Sequence, residues 1–147
     1  GIVVFQEVDS STARSAPRSA LFDKSVGWIL TTLRRAGLEP DLGSKLYPLL
    51  RSAGFPRPSL LAGARVEGGP DSRAYAYVVE TVRSLMPMME RLGIATSREI
   101  DIASLEERLR LEVVGGGGVV FLPSMVGAWA RKPVPAPTAP EGGRTRL

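Results

Sequence analysis

Gly1-Ile-Val-Val-Phe-Gln-Glu-Val-Asp9 is the stretch on which the reading of the fold turns. Ile2, Val3, Val4 and Phe5 form a continuous β-branched and aromatic run. The run is too short for a helix and too apolar for an edge strand. It matches a central strand of a parallel sheet covered on both faces. Gln6, Glu7 and Asp9 then fall at the strand's carboxyl end, where open α/β sheets bind ligands. Chain termini usually lie at the surface. A chain that starts inside its most buried strand is therefore expected to be the later part of a larger domain.

Composition narrows the chemistry. The 147 residues are 44% apolar, enough for one domain with a real core. No apolar run approaches the ~20 residues of a membrane span. The apolar start lacks a basic leader and a cleavage site, so no signal peptide is expected. The sequence has no Cys and no His. Thiolate nucleophiles, disulfides, Ser-His-Asp chemistry and most zinc sites are thereby excluded. Acid–base work would fall to carboxylates, Tyr or Lys. The balance fits a cytoplasmic protein. Net charge is +4, but the basic residues are spread along the chain and most are Arg near Glu or Asp. A clustered stripe for nucleic acid is missing.

Outward from the first strand, Ser10 to Ala20 reads as a loop at the strand's carboxyl end, where loops commonly line sites. Leu21 to Ala36 is a helix on the spacing of Val26, Ile29, Leu30 and Leu33, with Asp23 as N-cap and Gly37 as stop. Trp28 lies near its apolar stripe, as core or as a pocket wall. Asp41 to Ala53 is a second helix, in which Pro48 predicts a kink or shortening. Ser59 to Glu67 reads as a partly buried strand. Asp71 to Leu92 is the longest helical stretch, and Pro87 predicts a kink or two stacked segments. Tyr75 lies on its apolar face and Tyr77 off it. Met86, Met88 and Met89 form either core or a plastic ligand surface.

A further helix runs from about Ala103 to Val113. Ser104 and Glu107 have capping-box spacing, with Asp101 as a competing N-cap. The charged series Glu106, Glu107, Arg108, Arg110 and Glu112 reads as a solvated face. Gly115 to Gly118 follows a helix and precedes a strand, with no Lys-Ser/Thr after it, so it reads as a turn and not a phosphate loop. Val119 to Ala130 reads as one strand bent at Pro123, with Arg131-Lys132 as its exit. Residues 133–147, with four prolines, read as a disordered or polyproline-like tail.

These pieces, in this order, resemble the later half of class I S-adenosylmethionine-dependent methyltransferases. Gly1-Ile-Val-Val-Phe-Gln-Glu7 is similar to their fifth strand. Gly43-Ser-Lys-Leu-Tyr-Pro-Leu-Leu-Arg-Ser-Ala-Gly-Phe55 resembles the helix and turn before strand six, which would be Ser59–Glu67. A helical insertion, about 71–114, would precede strand seven at Val119–Lys132. The resemblance implies an α/β fold: the later half of a Rossmann-like sheet of three strands, the last antiparallel and inserted between the other two. Residues 1–132 would be the carboxyl-terminal part of the methyltransferase domain.

The departures from the family matter as much. Its Gly-rich turn after strand one, the acidic residue ending strand two and the residues after strand four have no counterpart here. None of its cofactor-binding positions carries over, so S-adenosylmethionine enters only as the cofactor the resemblance implies. What remains would build substrate walls and a lid over a small-molecule methyl acceptor. On that reading Glu7 and Asp9 line the site and orient the acceptor or take its proton. A turn or helix-capping role is the alternative for both. Trp28, Tyr75, Tyr77 and Met86 are candidate lid or pocket residues. The chain by itself is expected to be inactive. It is expected to pair with the missing amino-terminal half or with a second copy, because a three-stranded sheet exposes an edge. The alternative reading is a non-catalytic, self-associating scaffold module. Nucleic-acid binding through Arg14, Arg18, Arg34 and Arg35 is a third.

Overall fold

The opening run does form a strand, and its partners follow from one later segment. In the computed structural model, which describes residues 1–133, β1 (Ile2–Asp9) pairs antiparallel with β6 (Ser124–Arg131). β3 (Ser59–Gly63) pairs antiparallel with the other edge of β6. The order is β1-β6-β3, so β1 and β3 run parallel with the last strand antiparallel between them. The resemblance implies this order for the three strands, but the expected parallel-sheet setting of β1 is corrected: among the described residues its one partner is the antiparallel β6.

One face of this sheet is covered by α2 (Leu42–Ser52). Leu46 and Leu50 bury against Val126 and Ala128, with Val3 and Phe55 at the margin. The period of two sends Ile2, Val4, Met125, Trp129 and Leu61 to the opposite face. That face is bare: Val4 is 71% exposed and Leu61 70%. The expectation that β1 is buried on both faces is therefore corrected. Its apolar run is two-sided, but among the described residues only one side has a cover. None of the described residues pairs with the outer edge of β1 or of β3 either.

A second sheet was not anticipated. β2 (Arg14–Ala16), β5 (Val119–Phe121) and β4 (Val66–Gly68) pair antiparallel in the order β2-β5-β4. Ser10–Ala20 is thus not a plain loop. Ser59–Glu67 and Val119–Ala130 are each two strands, not one. Pro123 does more than bend its strand: lacking an N–H, it ends one ladder, and the chain enters the other sheet.

Four longer helices and one helical turn complete the mixed α/β fold. α1 (Ala20–Arg35), α3 (Ala74–Arg91), the turn α4 (Ser97–Ile100) and α5 (Ile102–Gly115) enclose the main core. Phe22, Tyr75, Val82, Met89, Leu105 and Leu109 are fully buried there, with Val120 from β5. The chain therefore has two apolar clusters, a large one among helices and a small one between α2 and the first sheet. Pro48 and Pro87 lie inside α2 and α3 without ending them. Each proline is exposed, as are Ser44 and Arg83 four residues earlier, so the released carbonyls face water.

Helix ends correct three expectations. The N-cap of α1 is Ser19, whose Oγ accepts from the Phe22 N–H at 3.1 Å; Asp23 sits in the first turn and pairs with Arg18. Glu112 is not merely solvated, because its Oε1 accepts from Ser19 Oγ at 2.8 Å and from the Leu21 N–H at 3.1 Å. The capping box at Ser104 does not form. Asp101 takes the N-cap position of α5 at φ 45, and Glu107 pairs with Arg110. Gly117, at φ 62, lets Gly118 N–H reach back to Val113 at 2.8 Å, so the glycine run closes a helix. The tail expectation, Pro133 apart, lies outside the described residues.

Ser19→Ala should destabilise the chain by about 1 kcal/mol, the usual cost of an N-cap serine. Urea unfolding should show a lower midpoint with an unchanged slope.

Candidate functional site

The two sheets are one three-stranded ribbon interrupted at a common level. β1 passes to β2 through residues 10–13, β3 to β4 through Ala64 and Arg65, and β5 to β6 through Leu122 and Pro123. At the interruption, backbone groups lose their ladder and find other partners. Leu122 N–H donates to the Arg65 carbonyl at 2.9 Å. Ser124 N–H donates to Thr12 Oγ1 at 2.8 Å, and that hydroxyl donates to the Asp9 carbonyl at 2.7 Å.

This gap makes the candidate site. An apolar cavity of about 100 Å³ lies between α1, α3 and the interruption, walled by Phe22, Val26, Leu30, Val78 and Leu122. A wider opening of about 430 Å³ lies outside it, bordered by Val8, Gly63, Arg65 and Met125. Tyr77, Leu122 and Pro123 border both spaces. Val8 and Gly63 lie at or next to the carboxyl ends of β1 and β3, which run in the same direction on either side of the antiparallel β6. Val8, Gly63 and Met125 also belong to the bare face, so the opening is continuous with it.

Of the six residues singled out from sequence, the structure brings only Tyr77 to the opening. Tyr77 is half exposed there. Glu7 shares the α2 face with Val3 and borders a groove with Phe5 and Leu49, on the side of the sheet away from the opening. Asp9 is buried in the turn after β1, its Oδ1 accepting from Ser11 Oγ at 2.6 Å; its position is that of a turn carboxylate. Trp28 is buried in the main core, with the Lys24 ammonium 5.1 Å from its ring. Tyr75 is buried in the same core, its hydroxyl donating to the Gly69 carbonyl at 3.2 Å, and burial pushes its phenol pKa up. Met86 is half-buried against the core.

Arg65, Leu122 and Pro123 were not anticipated as site residues. The only sequence signal for them was Pro123 inside an apolar run. Arg65 pairs with Glu67, whose carboxyl is held below its usual value by Ser72 first and then by Arg65. The four arginines considered for nucleic acid each have a partner within the chain. Arg14 stacks on Phe121 at 3.5 Å, Arg18 pairs with Asp23, Arg34 with Asp41, and Arg35 donates to the Leu92 carbonyl at 3.0 Å. Among the described residues, no three Asp or Glu side chains gather as a metal-ligand set. No helix of the described residues is long and apolar enough to cross a membrane.

The turn beneath the site is pinned by Asp41. Its carboxylate accepts from Arg34 at 2.8 Å and from the Ser11 N–H at 3.1 Å. Arg34 first, and Ser11 after it, hold this carboxyl below its usual value near 3.8. A depressed folded-state pKa contributes stability above the unfolded value, and the contribution is lost as pH falls through the folded one. Asp41→Asn should therefore lower stability by on the order of 1 kcal/mol at neutral pH, allowing for partial exposure. The difference from the native chain should shrink below about pH 4. Chemical denaturation at several pH values checks both.

No protein-family model matches this chain, and no curated protein matches it.

Proposed function

We propose that this chain is the carboxyl-terminal part of a class I S-adenosylmethionine-dependent methyltransferase, supplying the walls and lid of a small-molecule acceptor site. The observation that carries the reading is the first sheet. Its last strand lies antiparallel between two parallel ones. Among the described residues it also presents a bare apolar face and an unpaired β1 edge, as the later half of a larger sheet would. The opening at the carboxyl ends of β1 and β3 is where an acceptor would lie. The three helical segments between β4 and β5 lie where the insertion is expected, and on this reading Tyr77, on the first of them, is the lid residue.

Among the described residues no strand leads through a Gly-x-Gly turn into a helix, the motif that would hold the cofactor, and the glycines at 115–118 run from α5 into β5. The residues present do not fit S-adenosylmethionine, so no step of transfer is assigned to them. Their part is to hold and orient the acceptor and to exclude water.

The test is to read the native transcript upstream of Gly1 and assay the encoded protein. An in-frame segment with a strand, a Gly-x-Gly turn and a helix is expected. The joined chain should transfer label from methyl-labelled S-adenosylmethionine to small molecules. A start codon just before Gly1, with a dimer that persists on dilution, would overturn the reading. A self-associating, non-catalytic scaffold that hides its bare sheet face against a second copy would then account for the same surface.

A further inference from the structure

We infer that the cavity and the opening together form one binding site for a small carboxylic acid with a compact apolar end. The inner space is lined by side chains without charge: Phe22, Val26, Leu30 and Val78 make most of its wall, and Ser10 and Thr81 add hydroxyls at its border. Dry apolar cavities of about 150 Å³ accept benzene. A space of about 100 Å³ therefore takes a short alkyl group and not a whole ring.

Tyr77 borders both spaces, so a planar body lying across them can stack on its ring. The outer space has one charged side chain on its border, Arg65. Glu67 engages that guanidinium, but its side chain is still 67% exposed, and a guanidinium has five N–H donors. An incoming carboxylate would share the guanidinium with Glu67 and use the N–H donors that Glu67 leaves free. Alkyl end inward, flat body at Tyr77 and carboxylate at Arg65 is the one orientation that matches each part of the site.

The inference deepens the acceptor-site reading by naming the acceptor's class. The binding itself does not depend on methyl transfer.

The experiment titrates the full 147-residue chain with 4-ethylbenzoate and with 4-ethylbenzamide, followed by calorimetry and by methyl NMR. The acid should bind at one saturable site and shift the Val78 and Leu30 methyl signals. It should bind about tenfold more tightly than the neutral amide, the usual worth of a hydrogen bond to a charged group. Arg65→Gln should erase that difference and keep the amide's affinity. Val78→Phe, which fills the inner space, should abolish binding of both. Ala13→Leu fills the same space from the other side and decides the matter if Val78→Phe is unfolded. Equal affinity for acid and amide, or no saturable binding, overturns the inference. So does binding that survives cavity filling, which would place the probe on the bare sheet face. A chain with no upstream methyltransferase segment that still binds as described would sink the enzyme reading and leave the site standing.

Discussion

Phe22→Ala should lower the stability of the chain by about 3–5 kcal/mol, the range for emptying a buried aromatic site. Phe22 is fully buried in the main core, in the first turn of α1. Deleting the ring removes its transfer free energy and leaves a void that neighbours on α3 and α5 cannot fill without shifting their helices. Domains of this size have ~5–15 kcal/mol in total, so the loss is a large share. The same ring walls the inner cavity, so the variant should also accept bulkier apolar ligands. Phe22→Leu keeps most of the volume and should cost less than half as much. Urea unfolding of the three proteins checks the order. Comparable midpoints would mean the core tolerates collapse at this point.

Gly43→Leu should detach α2 from the first sheet, at a cost of about 2–3 kcal/mol. Gly43 sits on the sheet side of α2. A Cβ there would stand 2.8 Å from Val126 Cγ2 and 3.1 Å from the Glu7 carbonyl oxygen. The second of these is backbone and cannot turn aside. The small cluster of Leu46, Leu50, Val126 and Ala128 has too few contacts to hold the helix against that wedge. Gly43→Ala meets the same atoms, but it gains up to ~1 kcal/mol of helix propensity, so its net cost should be about 1 kcal/mol. Hydrogen exchange should locate the damage. Amides of α2 and of the first sheet should exchange faster, while those of α1, α3 and α5 stay protected. Equal loss in both regions would mean the two clusters unfold as one.

The helices were legible because periodic apolar residues survive any tertiary context. α1, α2, α3 and α5 lie where Val26, Leu46, Val82 and Leu109 recur at helical spacing. β1 was legible from its β-branched run, yet its exposure was not. A sequence shows that a strand is fit for burial, not whether a cover is present. β2 escaped notice because Arg14-Ser15-Ala16 has no alternation to read. The strand breaks escaped because Ala64 and Leu122 belong to apolar runs that read as continuous. Tyr77 was visible as a residue off the core face of its helix. Arg65 was not, because its place depends on a strand changing sheets, a tertiary event without a local mark. Asp23 and Ser104 show the limit of capping rules. A better-placed Ser19 and the backbone of Asp101 won by geometry.

The common level of the three strand interruptions has a mechanical consequence. Three cables laid side by side with their joints at one height share a single line of weakness. The segment 10–13, the pair Ala64–Arg65 and the pair Leu122–Pro123 form that joint. The helical body rides on one side of it and the α2-covered sheet on the other. A rotation about that level would change the width of the gap, and it would have to break the hydrogen bonds by which Asp41 ties Ser11 to Arg34 of α1. A molecule seated between Leu122 and Tyr77 would therefore span the level at which no ladder joins the two sheets, a splint across a break in the ribbon.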